Sequence, residues 1–138
     1  MTSVLIIGGG GMIGQKLASS FSTNDSLTLL DIGFPNKNQS NARKIIGSVG
    51  DPEIIENSLK DLPEVIYYLA SVVSGEAEAD FSKGWDVNIH AFWAFLSLVK
   101  KLNEKSQGQY KPKIIFTSSI AVFGSPFPNQ IPDDFIAA

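Results

Sequence analysis

Apolar residues in this chain come as short solid runs separated by longer stretches with a helical period. Val4-Leu5-Ile6-Ile7 is a branched aliphatic run that stops at Gly8, the pattern of a strand buried on both faces. Over 12–22, Ile13, Leu17 and Phe21 recur at i, i+4 and i+8 with Gln15, Lys16 and Ser20 off that face, which predicts an amphipathic helix. Leu27-Thr28-Leu29-Leu30 predicts a second strand ending at Asp31, and 33–41, with its Pro, Asn and Ser, predicts a loop. Residues 44–49 predict a third strand closed by Gly50-Asp51-Pro52, and because Pro52 suits a first helical turn, 53–61 is expected to be helical. A fourth strand over 64–70, a polar loop over 71–79, a long helix over 80–105 and a fifth strand over 113–117 complete the pattern, before a Pro-rich irregular tail from Gly124.

Strands alternating with helices imply right-handed βαβ units, hence an α/β fold with a doubly wound parallel sheet, for which the expected strand order is 3-2-1-4-5. At 138 residues the chain is expected to form one domain. In the long helix, 12 of the 18 residues from Trp85 to Leu102 are apolar. One apolar stripe does not need so many, so this helix should be covered on two sides; the alternative is a plain core helix of a compact fold.

Composition narrows the chemistry. With 43% hydrophobic and 18% charged residues the chain lies outside the regime of disorder. The 11 basic and 14 acidic residues give a charge of −3 without a basic cluster, so nucleic acid is not an expected partner. No cysteine and a single histidine, His90, leave no disulfide framework, thiolate site or His-rich zinc site, and no metal is expected. No apolar stretch reaches membrane-spanning length, and the N-terminus lacks the basic segment and cleavage site of a secretion signal. These features read as a cytoplasmic chain with no membrane partner.

The strongest chemical signal is Gly8-Gly9-Gly10-Gly11-Met12-Ile13-Gly14, between the first strand and the first helix. Its spacing satisfies both G-x-G-x-x-G and G-x-x-G-x-x-G, either of which lets the backbone approach a pyrophosphate and present helix N–H groups to it. Asp31 follows 17 residues after Gly14, at the end of the second strand, where a carboxylate can accept hydrogen bonds from an adenosine ribose. Such a carboxylate repels a 2′-phosphate, so NAD is favoured over NADP, with Lys37 and Arg43 as the cations that would offset it. The plainer alternative is a tight glycine turn and an Asp capping a strand end. A G-x-x-x-x-G-K-[ST] phosphate loop fails, because Gln15 and Lys16 stand where its Lys and hydroxyl belong.

Taken together, these residues resemble the extended short-chain dehydrogenase/reductases, also called NAD-dependent epimerase/dehydratases. Residues 7–14 resemble the family's T-G-x-x-G-x-x-G, with Ile7 in place of Thr; Tyr68-Leu69-Ala70-Ser71 resembles H-x-A-[AG]; Val87-Asn88 resembles the start of V-N-x-x-G-T; Phe116 to Gly124 resembles S-S-x-x-V-Y-G. The resemblance implies an NAD-binding Rossmann domain in which Gly8, Gly11, Met12, Ile13 and Gly14 hold the pyrophosphate. It further implies Asp31 and Ile32 at the adenosine ribose, Asp51 and Pro52 at the adenine, and Leu69, Ala70, Ser71 and Asn88 along the cofactor. Ser119 matches the catalytic Ser/Thr that hydrogen-bonds the substrate oxygen, although a hydroxyl at a strand end can also serve the backbone alone. Ser74 and Gly75 are the expected substrate contacts, since Glu76 and Glu78 would repel a sugar acid. Within the family, residues 72–81, 120–124 and 131–135 are most similar to the D-erythronate dehydrogenase group, which implies oxidation of a small sugar-acid substrate by hydride transfer to NAD. A nucleotide-sugar epimerase or dehydratase, and a non-catalytic NAD-binding module, are the alternatives.

Family chemistry also requires Y-x-x-x-K. Tyr67, Tyr68 and Tyr110 are followed four residues on by Ser71, Val72 and Ile114, so none qualifies. The expectation is therefore an incomplete Rossmann domain, the front part of a longer enzyme, inactive alone. By resemblance the 80–105 helix belongs to a four-helix dimer interface, which implies a homo-oligomer and an exposed patch containing several of Phe92, Trp93, Phe95, Leu96 and Val99.

Overall fold

The computed structural model describes residues 1–35, 41–124, 126 and 129–134. Lys37 and Phe135 lie outside the described residues. Strands β1 (Ser3–Ile7), β2 (Ser26–Asp31), β3 (Arg43–Ile46), β4 (Val65–Tyr68) and β5 (Lys113–Phe116) form one sheet of order β3-β2-β1-β4-β5, with every neighbouring pair parallel. This is the expected doubly wound order. Helices α1 (Met12–Ala18), α2 (Pro52–Leu59), α3 (Ser74–Ala79), α4 (Phe81–Trp85) and α5 (Ala91–Lys105) connect the strands.

The β1 run is buried throughout from Val4 to Ile7 because its side chains alternate between two cores. Leu5 and Ile7 join Leu30, Ile45, Ile66 and Tyr68 beneath α2 and α5, where Ile55, Leu59, Ala91, Phe95 and Val99 close the layer. Val4 and Ile6 join Leu29 and Ala18 on the α1 side, with Leu17 and Phe21 packed against them.

Several expectations change in detail: the third strand, expected over 44–49, spans Arg43–Ile46, and the fourth, expected over 64–70, spans Val65–Tyr68. The first helix stops at Ala18 rather than reaching residue 22, and Phe21 reaches its core from a turn. Ile13 does not join Leu17 and Phe21 on the sheet; it lies in the first helical turn beside the glycine segment and is 59% exposed. The expected loop over 71–79 contains α3, whose sequence SGEAEA is rich in helix-forming Ala and Glu. Its start is fixed by the Glu76 and Ala77 N–H groups, both donating to the Val73 carbonyl. Finally, the 80–105 helix runs on from α4 into α5 through a π-helical turn at Asp86–His90, where the Ala91 N–H donates to the Asp86 carbonyl five residues back.

The expected apolar patch is only partly right. Phe95 and Val99 lie one turn apart with Ala91 on the sheet side of α5 and are buried, and Phe92 packs partly buried against Phe116, ring centroids 4.4 Å apart. Trp93 and Leu96 are exposed, and Phe81, Trp85 and Ile89 extend the exposed apolar surface toward the start of α4. Among the described residues no helix is long and apolar enough to cross a membrane.

Candidate functional site

Parallel strands place their carboxyl ends on one edge of the sheet. Register sets Ile7 level with Leu30 and with Tyr68, and Tyr68 level with Phe116. Gly8, Leu69–Ser71 and Thr117–Ser119 therefore leave from one edge, joined by Ile32 and Ser48–Asp51, since Asp31 is level with Ile46. Chain order reverses between β1 and β4, and such a switch point opens a crevice at the strands' carboxyl ends.

The glycine turn occupies that crevice. The Gly8 and Gly9 N–H groups both donate to the Leu30 carbonyl, at 2.8 and 3.0 Å, which folds the turn back over β2. Gly8 takes φ +90°, and a Cβ on it would stand 2.8 Å from the Ala70 nitrogen. Only glycine lets β1 leave in this direction while touching the exit of β4. A Cβ on Gly14 would come within 2.3 Å of the Gly8 carbonyl oxygen, so α1 seats its first turn directly on the loop. Gly11 is the N-cap of α1, and no side chain caps that end, leaving the first helical N–H groups, those of Met12, Ile13 and Gly14, for an anion.

Asp31 stands beside this turn. Its Oδ2 accepts from the Gly10 N–H at 2.8 Å and its Oδ1 from the Gly33 N–H at 3.4 Å. The carboxylate is thus fixed to the loop 21 residues away, with lone pairs remaining for further donors; Ile32 next to it is exposed. Arg43 does not neutralise it. Its guanidinium bonds Asp61 at 2.7 Å and Asn57 at 2.9 Å from the start of β3, the end of that strand away from Asp31.

Asp51 is the N-cap of α2, its Oδ1 accepting from the Glu53 N–H at 3.0 Å, with Pro52 in the first turn. It also lines an open cleft of about 650 Å³ together with Ser48, Gly50, Asp86, His90, Ala91 and Ala94. Asp86 and His90 were not singled out from the sequence as site residues; they reach the cleft through the π turn, for which the sequence carries no strong signal. Asn88, on the same turn, binds one backbone unit twice: Oδ1 accepts from the Val72 N–H at 2.8 Å and Nδ2 donates to the Val72 carbonyl at 2.9 Å. It clamps the segment that follows Leu69, Ala70 and Ser71.

Ser119 is exposed beyond β5, its carbonyl accepting from the Val122 N–H at 3.2 Å in a 3-10 turn over Ile120–Phe123. Ser74 and Gly75 open α3, and Gly75 is exposed with open space on its Cβ side. Lys83 on α4 bonds Glu76 of α3, which raises the lysine's pKa through that hydrogen bond and the carboxylate's charge. Glu76 is thereby partly neutralised. At the end of β4, Tyr68 is buried among Phe92, Phe95 and Phe116. Its hydroxyl has no hydrogen-bond partner among the described residues, and desolvation pushes its pKa up to about 12.

A backbone cradle that Cβ atoms would fill, uncapped helix N–H groups and a carboxylate held beside them fit a dinucleotide. Set on a doubly wound parallel sheet, they define a dinucleotide-binding domain. The chain belongs to the NAD dependent epimerase/dehydratase family, which it matches over residues 4–136. It is 33% identical to the D-erythronate dehydrogenase of Cupriavidus necator over 96% of this chain and 43% of that protein. It is 31% identical to the D-erythronate dehydrogenase of Haemophilus influenzae over 94% of this chain and 42% of that protein. Among solved structures, the nucleoside-diphosphate-sugar epimerase of Agrobacterium tumefaciens superposes with a TM-score of 0.77 at 36% identity, covering 99% of this chain and 43% of that one. UDP-glucose 4-epimerase from Brucella ovis, solved in complex with NAD, shares the fold with a TM-score of 0.76 at 20% identity, over 100% of this chain and 42% of that one. NAD is the cofactor of this family, as the glycine turn and Asp31 led one to expect. The chain spans less than half the length of the curated relatives it matches.

Proposed function

We propose that this chain holds NAD across its β1/β4 crevice as the cofactor-binding part of a dehydrogenase that oxidises a hydroxyl of a small sugar acid. The observation that carries the reading is the Asp31–Gly10 hydrogen bond, 2.8 Å, which joins a carboxylate suited to ribose to the loop suited to pyrophosphate. In this reading the N–H groups of Met12, Ile13 and Gly14 bind the pyrophosphate beside Gly8 and Gly11, and Asp31 accepts from the adenosine ribose next to Ile32. Asp51 and Pro52 face the adenine. Leu69, Ala70 and Ser71 line the cofactor, and Asn88 keeps that segment in place through Val72. When bound, NAD supplies the hydride acceptor. Ser119 orients the substrate hydroxyl, and Ser74 and Gly75 contact the substrate.

The substrate class is supported by identity to two D-erythronate dehydrogenases. A second reading, a nucleotide-sugar epimerase, is supported by 36% identity to a nucleoside-diphosphate-sugar epimerase. Self-association through the face of Trp93 and Leu96 is part of the proposal, supported by the exposure of both side chains.

Calorimetry on the 138-residue chain tests the core of the reading. NAD and ADP-ribose should both bind, and absence of heat from both would overturn it. With the chain joined to the remainder of a relative's sequence, NADH formed from erythronate supports the dehydrogenase, whereas interconversion of a nucleotide sugar without net NADH supports the epimerase.

A further inference from the structure

Trp85 and His90 stand five residues apart, and side chains at that spacing do not face each other on an α-helix, whose neighbours are at i+3 and i+4. Here the Trp85 Nε1–H donates to His90 Nε2 at 2.7 Å, across the π turn Asp86–His90. The wider turn brings the two together, and their bond in return favours the wider turn. An indole nitrogen is only a donor, so Nε2 must be the acceptor and the ring proton must sit on Nδ1. Nδ1 in turn lies 3.2 Å from Asp86 Oδ1, at i,i+4, a spacing an ordinary α-helix also supports. Neutral imidazole thus makes both bonds, while protonated imidazole makes only the one with Asp86, because at Nε2 it would oppose one donor with another. The charged groups facing the ring are Asp86 on its own turn and, across the cleft, Asp51 at the start of α2.

The same turn carries Asn88, with both of its bonds to Val72. We propose that Trp85 and His90 are a positioning pair whose i,i+5 hydrogen bond holds the π turn that presents Asn88 to Val72. The clamp on the segment following β4 therefore loosens when the imidazole becomes charged. Its consequence for cofactor affinity rests on the reading of residues 69–71 as the cofactor's path. The clamp itself does not.

NMR on the 138-residue chain without cofactor tests it. His90 is the single histidine, so its ring signals are unambiguous, and Trp93→Phe leaves Trp85 as the single indole. Lowering the pH until the His90 ring signals themselves report a charged imidazole should shift the Trp85 indole N–H over the same range. The protection factor of the Val72 amide should fall about fivefold over the same range, the effect of one ordinary hydrogen bond. His90→Gln supplies an acceptor that does not titrate and should hold both signals at their high-pH values throughout. His90→Ala should show the lowered Val72 protection at every pH. The proposal fails if Trp85 and Val72 are unmoved while the imidazole titrates, or if His90→Gln shows the same pH dependence as the unaltered chain.

Discussion

Asp31 has two separable roles, one through its hydrogen-bonding oxygens and one through its charge. The Asp31→Asn side chain still offers the Gly10 N–H an oxygen acceptor but has no charge, whereas Asp31→Ala removes both. A carboxylate and a phosphate charge about 5 Å apart at an effective dielectric of about 20 repel by roughly 3 kcal/mol. Screening by salt and water around an intermediate-exposure side chain reduces this to about 1.5 kcal/mol. Arg43 offers no compensation, since its guanidinium is bound to Asp61 and Asn57. Asp31→Asn should therefore shift the ratio of NAD to NADP affinity about tenfold toward NADP with little change in folding stability. Asp31→Ala should cost about 1–2 kcal/mol of stability, because the Gly10 N–H loses its acceptor, and should weaken NAD binding about 100-fold through lost charge-assisted bonds. Calorimetric titration with both cofactors and urea unfolding read these quantities. An unchanged cofactor ratio in Asp31→Asn, or wild-type stability and NAD affinity in Asp31→Ala, would show that the carboxylate serves neither loop nor ribose.

Gly14→Ala would place a Cβ 2.3 Å from the Gly8 carbonyl oxygen; backbone must move, so urea unfolding should show a loss of about 2–4 kcal/mol, and calorimetry a loss of NAD binding beyond it. Tyr68 and Tyr110 are each pushed up to about 12 by burial, against an ordinary 10. The unfolded chain releases these protons first, so stability should be unaffected below about pH 10 and fall by about 1–2 kcal/mol per phenol as the pH rises toward 12, measured by unfolding with phenolate absorbance. Tyr68→Phe should remove one of these losses and cost nothing at neutral pH, since its hydroxyl has no partner among the described residues; a loss above about 1 kcal/mol at pH 7 would reveal a hydrogen bond in the folded chain. Trp93→Glu combined with Leu96→Glu should leave stability within about 0.5 kcal/mol, both being exposed, and abolish any self-association seen by light scattering at high concentration.

What the sequence disclosed well was governed by strong local rules. A solid aliphatic run ending at glycine, as in Val4–Ile7, has few solutions other than a strand buried on both faces, and the β1–β5 order followed from the alternation of such runs with helices. The glycine cluster and Asp31 were legible for the same reason, since only glycine fits at Gly8 and Gly14 and the strand end fixes where Asp31 lies. Element ends were less legible: Pro52 and Asp51 marked the start of α2 well, but nothing in Ser19 to Phe21 stops a helical pattern as a proline would, and α1 ended a turn early.

The features that escaped depend on tertiary contacts rather than local pattern. Helix α3 has six residues, too few to persist alone, and it is supported by α4, where Gly84 is so close that a Cβ would lie 2.7 Å from that of Ala77. A polar stretch with one glycine reads as a loop until its neighbour is known. Likewise, the apolar residues of the long helix could be counted but not divided between core and surface, because the π turn shifts the helix face by one residue between Trp85 and Ala91. A periodicity carried through from Phe81 in α-helical steps loses its phase there. The side chains gathered there bond in three ways, Trp85 to His90 across the break, His90 to Asp86 within it and Asn88 outward to Val72, and a helical wheel scatters them around the axis. The physical basis of the candidate site therefore divides in two: a glycine turn and carboxylate specified by sequence, and a clamp on Val72 carried by a turn in which the helix departs from its usual period.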